Sequence, residues 1–344
     1  MKVTVKGVVK YVLMLALSAV LLYFAFRNMS WNDFITGLKS CNLWWIIATM
    51  FIAWIITIMR GNRWRLMMLP IDKTIVKRIS YDAYSICYLA NIAFPRSGEV
   101  VRCGVVAKTN NISFEGAIGS VVLERTWDMI CVVICCVALL FGRFGDFLID
   151  KMWKPFIGSL PFNAVWLLVL VVAVCFAVYY ILKKNKEKVA KSKAGAKFIK
   201  IWRGLVDGVK ASFKMEHKWA FFAYTVMIWI GYWVMSLFTI YAFPEFSELG
   251  IMDALFLMVV GSLGWIVPVQ GGFGAYHFIV SMTLVPIYGV TQQTGLIFAT
   301  ISHESQIVQM LICGAISLIS VALYKKKKSP QGAPVSETVE VPES

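Results

Sequence analysis

Apolar stretches separated by short charged intervals organise this chain. They lie near 8–26, 43–60, 115–142, 162–182, 218–242, 252–269 and 293–323. The segment FNAVWLLVLVVAVCFAVYYIL, residues 162–182, carries no charge across 21 positions, enough helix to cross a hydrocarbon core of about 30 Å. Two shorter apolar segments, near 79–95 and 275–290, adjoin clusters of proline and glycine. The pattern predicts an all-α polytopic transmembrane helical bundle of about 7–9 membrane segments, with one or two of them broken or re-entrant hairpins.

Composition supports that class. Of 344 residues 59% are hydrophobic and only 15% charged, too little charge to disperse a soluble domain of this size. The net charge of +15 raises the question of nucleic acid, but the basic residues gather at the ends of apolar runs and no basic domain stands apart. Lys2, Lys6 and Lys10 precede the first run, no small-x-small cleavage pattern follows it, and an uncleaved first span is expected. The cysteines form no C-x-x-C pair and read as small buried side chains.

Loop charge sets the orientation. Arg60, Arg63, Arg65, Lys73, Lys77 and Arg78 crowd the 60–78 connection, and the 183–218 connection holds twelve Lys or Arg against Glu187, Asp207 and Glu216. Positive residues stay cytoplasmic, so both termini, 60–78 and 183–218 are expected inside, with 27–42, 143–161 and 243–251 outside. Within 183–218, Phe198, Trp202, Leu205, Val209 and Phe213 recur at helical spacing, predicting an amphipathic helix on an anionic leaflet. The expected organisation is a single transmembrane domain, 1–324, followed by a basic and then disordered tail, 325–344.

Parity then constrains 79–110. Passing from an inside 60–78 to an outside 143–161 takes an odd number of crossings, and 115–142 supplies one. Residues 79–110 should therefore enter and leave on one side, in a hairpin broken at Pro95 and Gly98. Residues 252–290 either cross twice or form a second hairpin broken at Pro268, Gly271, Gly272 and Gly274. Paired Gly/Pro-interrupted segments point to a midplane substrate site in transporters, although two ordinary loops would look the same in hydropathy.

Three constellations carry candidate chemistry. After the first break, Ser97 can cap a helix beginning EVVRCG, with Arg96 and Arg102 beside its N-terminus and Glu99 placed to orient Arg102 at i, i+3. That arrangement suits an anion such as a lipid phosphate, and the same charges could instead snorkel to headgroups. In LERTWDM, Glu124, Arg125 and Asp128 share adjacent helix faces. If the helix starts near Ser113, Glu124 lies about 16 Å along it, deep enough that each charge costs roughly 2.5–3.5 kcal/mol. These charges need a cavity or partners, with Arg96 and Arg102 as the outside candidates. In the third, PVQGGFGAYH brings flexible glycines directly before His277, and SHESQIVQ puts Ser302, Ser305, Gln306 and Gln309 on a polar stripe with His303 and Glu304. His217, His277 and His303 are far apart in sequence, and no H-E-x-x-H, G-x-S-x-G or P-loop occurs. Neither a metal site nor a cofactor is expected.

The order N-x-x-x-P-R-S-G-E-x-x-R, then E-R-x-x-D, then P-x-x-G-G-F-G resembles the lysylphosphatidylglycerol synthase transmembrane-region family, flippase-like proteins of bacterial and archaeal membranes. The resemblance covers nearly the whole chain. It marks Asn91, Pro95, Arg96, Gly98, Glu99, Arg102, Glu124, Arg125, Asp128, Pro268, Gly271, Gly272 and Gly274. It implies an inner-membrane protein that binds and translocates an anionic phospholipid or lipid-linked headgroup, with His277, His303 and Glu304 added to the substrate-binding candidates. Two positions depart from the family pattern: His277 stands where Glu is common, and His303 with Glu304 where an Arg is common in the final span. The soluble aminoacyl-transferase domain of full synthases is not present in the sequence, so lysyl transfer is not expected. A membrane-embedded enzyme or subunit of lipid or polyprenyl-sugar synthesis is the alternative, and a structural or partner-binding membrane protein the second. A homo-oligomer is compatible with either.

Overall fold

The computed structural model describes residues 5–27, 29–110, 112–141 and 208–328, with the isolated positions Gly145, Val169 and Tyr180. The expected span 162–182, the 143–161 connection, most of 183–218 and the tail beyond 328 lie outside the described residues. Helices α1 (Val5–Phe26), α2 (Trp31–Ser40), α3 (Leu43–Met68), α4 (Lys77–Ala93), α5 (Gly98–Thr109) and α6 (Phe114–Leu139) make the first part. The second contains α7 (Lys218–Tyr241), α8 (Ile251–Ile266), α9 (Ala275–Tyr288) and α10 (Gln292–Lys328), with 3₁₀ turns at Pro244–Phe246 and Gln270–Gly272. Among the described residues there is no strand, and the all-α expectation holds.

Leu43–Met68, Lys218–Tyr241 and Gln292–Tyr324 are each long and apolar enough to cross a membrane, and Tyr11–Phe26 and Ile251–Ile266 are shorter apolar helices. Large apolar side chains such as Leu13, Phe51, Trp54, Ile134, Ile230 and Ile319 are exposed, a surface that water penalises and lipid accepts. Ser113 caps α6 by accepting the Gly116 N–H at 3.1 Å, which starts that helix where its sequence signal lies.

Two ends of the bundle are distinguishable. At one, Arg78 Nε donates to Ser320 Oγ at 2.9 Å and Ser320 in turn donates to Asp82. The start of α4 thus lies beside the last turns of α10, whose sequence ends in Lys325–Lys328. At the other, the Asn42 N–H donates to the Ala242 carbonyl at 2.8 Å, joining the start of α3 to the end of α7.

Between these ends two helix pairs fold back on themselves. In the first, α5 returns along α4: Gly98 abuts Cys87 and Asn91, and Arg102 lies over Tyr84. In the second, α9 returns along α8, with Trp265 facing Tyr276 and Phe256 facing Tyr288. The pairs come from opposite ends and meet at their tips, where Arg96 donates to the Ile266 carbonyl. Arg96, at φ 61°, is the one non-glycine residue with positive φ among those described. Helix α1 passes both tips, with Tyr11 against Phe94 and Ser18 Oγ donating to the Phe273 carbonyl at 2.8 Å.

Two expectations need correction, and one connection contains a helix. Helix α3 does not stop at residue 60; it runs to Met68. Arg60 and Arg63 are therefore helical and buried rather than loop residues, because acidic groups of α6 meet them there. Residues 31–40, in the connection expected outside, form α2, whose Gly37 packs against Ile297. Ser97 makes no helix cap: its hydroxyl donates backward to the Ala90 and Phe94 carbonyls, and Asn91 Oδ1 accepts the Gly98 N–H at 2.8 Å instead.

Candidate functional site

Helices α3, α4, α5 and α6 bring a charged cluster into the core. Glu124 sits at its centre, fully buried. Its Oε1 accepts from Arg63 Nη2 at 3.1 Å, from Arg60 Nη1 at 3.4 Å and from the Tyr84 hydroxyl, while Oε2 lies 2.7 Å from Arg102 Nη2. Asp128, one turn later on α6, accepts from Arg60 at 2.9 Å and Arg63 at 2.7 Å. The Arg102 guanidinium is held between the Trp64 ring, 4.6 Å from its centroid, and the Tyr84 ring at 4.5 Å. A charge alone at such depth costs several kcal/mol, so carboxylates, rings and hydroxyls must share it.

The sharing is uneven. Arg60, Arg63 and Arg102 face Glu124 and Asp128, three positive charges against two. Arg60, Arg63 and Arg102 also keep Nε groups with no hydrogen-bond acceptor among the described residues, as does Arg102 Nη1. Buried donors without partners are uncommon and costly. At the edge of the cluster the half-exposed Arg125 pairs with Glu99 at 2.9 Å and lies 3.8 Å from Asp128.

Above this cluster lies a cavity of about 310 Å³ between α3, α4, α7, α8 and α10, at the lower end of the roughly 300–1,000 Å³ typical of ligand pockets. Thr57, Tyr88 and Tyr232 line it toward the charges, and the Arg60 guanidinium lies 5.5 Å from the Tyr232 ring centroid. Gly271, Tyr276 and Ser302 line it toward the glycine turn, and Asn91 joins from the first tip. Most other lining groups are apolar, so the chamber has polar groups at both ends of an apolar wall. Ser302, Gln306 and Gln309 of the stripe on α10 line it; Ser305 turns back to the Ser302 carbonyl.

At the second tip Gly271, Gly272 and Gly274 have φ of 52°, 78° and 78°. His277 of α9 and His303 of α10 converge there on one carboxylate oxygen, Glu304 Oε1. His303 is fully buried, stacked on Trp265, and its Nε2 meets the Gly271 carbonyl at 2.8 Å.

The candidates thus divide into groups. Arg102, Glu124 and Asp128 are brought together inside the charged cluster, with Glu99 and Arg125 at its rim. Glu99 pairs with Arg125 rather than orienting Arg102. Of the two outside partners expected for Glu124, Arg102 reaches it and Arg96 does not. His277, His303, Glu304 and the three glycines form a separate tip. Arg60 and Arg63 escaped sequence reasoning because they were counted as loop charge. Their spacing of three on a helix, opposite carboxylates four apart in a span, was the available signal. Residues 208–213 are helical and Ser212 accepts from the Trp127 indole at 2.7 Å.

No curated protein matches the chain. The family model described as the lysylphosphatidylglycerol synthase TM region matches residues 11–314. That range takes in both hairpins, the charged cluster and the histidine pair. The chain therefore belongs to the lysylphosphatidylglycerol synthase TM-region family and is an integral membrane protein of lipid handling.

Proposed function

We propose that this protein binds an anionic phospholipid or lipid-linked headgroup and moves it between the leaflets of the bacterial inner membrane. The observation that carries this reading is the cavity between two opposed fold-back hairpins, beside a buried cluster with one positive charge in excess. Irregular backbone deep in a membrane is tolerated where protein buries it or where it lines a cavity, and two Gly/Pro-interrupted segments facing each other favour a midplane site. In low dielectric the excess charge attracts an anion strongly. Arg60, Arg63 and Arg102 act as the fixed frame; Arg125 and the exposed Arg96 are the cations a headgroup can reach.

The basic end, with Lys77, Arg78 and Lys325–Lys328, faces the cytoplasm. Each hairpin re-enters from its own side, so a headgroup resting at the tips is about midway. The mechanism needs no covalent step: the cavity shields the headgroup while the acyl chains stay in lipid.

The test is a flip assay on the protein in vesicles that contain a headgroup-labelled anionic phospholipid, with label in the outer leaflet quenched from outside. Wild type should accelerate loss of the inner-leaflet signal, and Arg125→Ala should slow it at least tenfold. Chromatography of the same lipid should show no covalent change. A wild-type rate equal to that of empty vesicles defeats the transport reading, and a new lipid product would favour the enzyme alternative.

A further inference from the structure

The second hairpin tip holds a group of side chains that lipid transport leaves unused. Glu304 Oε1 lies 3.0 Å from His303 Nδ1 and 3.5 Å from His277 Nε2, and the three ligand atoms fall within 4.8 Å of one another. We propose that His277, His303 and Glu304 bind one divalent transition-metal ion of the zinc type at this tip.

The tautomer of His303 carries the first step. A backbone carbonyl only accepts, so the contact of His303 Nε2 with the Gly271 carbonyl at 2.8 Å places a proton on Nε2. The neutral ring then aims the Nδ1 lone pair at Glu304 Oε1, and two acceptors 3.0 Å apart need a cation between them. A histidine whose far N–H donates to a carbonyl is the usual outer support of a metal ligand, fixing ring orientation and basicity.

That cation is a proton or a metal ion, and His277 separates the two. A proton shared by His303 and Glu304 leaves His277 only a long Nε2–H contact of 3.5 Å to the same carboxylate oxygen. Its Nδ1 already lacks any hydrogen-bond partner among the described residues, and the ring is buried. A metal ion uses all three atoms. Zinc binds imidazole nitrogen at about 2.0–2.1 Å and carboxylate oxygen at about 2.0–2.2 Å, so tetrahedral neighbours stand roughly 3.3 Å apart. The observed 3.0 and 3.5 Å bracket that spacing. Imidazole with carboxylate suits zinc and its first-row neighbours rather than calcium or magnesium. Three protein ligands leave a fourth position for water or an anionic oxygen. This inference stands whether or not the protein moves lipid.

Purified, untagged full-length protein in detergent is incubated with Zn²⁺, desalted and analysed for metal, and a parallel sample with Co²⁺ is read by visible absorption. Wild type should retain one ion per chain and give the spectrum of four-coordinate Co²⁺. His277→Ala and Glu304→Gln should each weaken binding at least tenfold, while His217→Ala, at the start of α7, should bind as wild type does. Glu304→Gln conserves volume at a partly exposed position, and decides the matter if His277→Ala fails to fold. The proposal is overturned if wild type retains no ion, or if His277→Ala and Glu304→Gln retain as much as wild type; the pair then holds only a shared proton.

Discussion

The two fold-back hairpins share a shape and differ in what holds it. The first, α4 and α5, is tied by side chains. Asn91 caps the returning helix, Ser97 donates back to α4, and Arg102 reaches through to Glu124. The second, α8 and α9, is tied by backbone and apolar contact. Three glycines with positive φ make its turn, and most of α8 is buried among Leu, Phe, Val and Met. A chain in lipid can thus build the same reversal from charge or from glycine, and the two should fail differently.

The largest effect is expected at Glu124. Glu124→Ala leaves Arg60, Arg63 and Arg102 with Asp128 as the remaining buried counter-charge, and removing one partner of a buried ion pair costs about 3–5 kcal/mol. Thermal unfolding in detergent should show a large loss of stability, with proteolysis opening first at α4–α5. The second hairpin should stay protected. If both open together, the bundle is one cooperative unit and the contrast is only local.

Glycine comes next and reaches both hairpins. A Cβ at Gly98 would lie 2.2 Å from the Cys87 carbonyl oxygen; at Gly274, where φ is already +78°, one would lie 2.6 Å from the Ser18 carbonyl oxygen. Overpacking of this kind costs about 1–3 kcal/mol, and the left-handed backbone adds roughly 1–2 kcal/mol for Ala. Gly274→Ala should therefore destabilise more than Gly98→Ala. Gly104→Ala is the control: nothing lies within 4 Å of its added Cβ, and the helix should gain about 0.5–1 kcal/mol. Denaturation midpoints that rank the three otherwise would break the glycine account.

Much of this arrangement was legible in the sequence. Helix spans follow from apolar length, Ser113 marks a helix start, and Pro95 with Gly98 marks the break at which α5 turns back on α4. The charges were harder. Loop-charge counting treats every Arg outside an apolar run as solvated, so Arg60 and Arg63 were assigned to water when α6 held their counter-ions 61 to 68 residues away. Long-range pairing leaves no local trace in either segment. The same limit hid the convergence of His277 on His303, which are far apart in sequence and meet because the glycine turn brings α9 alongside α10. Ser97 misled for a smaller reason. It occupies a cap position, but the tight return to α4 gives the Asn91 amide oxygen the nearer approach.

Asn91 offers the finest separation between holding the hairpin and handling a ligand, because it does one through its amide oxygen and lines the cavity as well. Asn91→Ala removes a helix cap and should cost about 1 kcal/mol, a few degrees in detergent melting. Asn91→Asp keeps an oxygen for the Gly98 N–H and favours the helix N-terminus electrostatically, so the cap itself should survive the change. It also sets a negative charge on the wall of a chamber proposed for an anionic headgroup. Flipping of an anionic lipid should then fall well below the Asn91→Ala rate although the cap is kept. If Asn91 acts only as a cap, Asn91→Asp, which keeps the cap, should be the more active of the two.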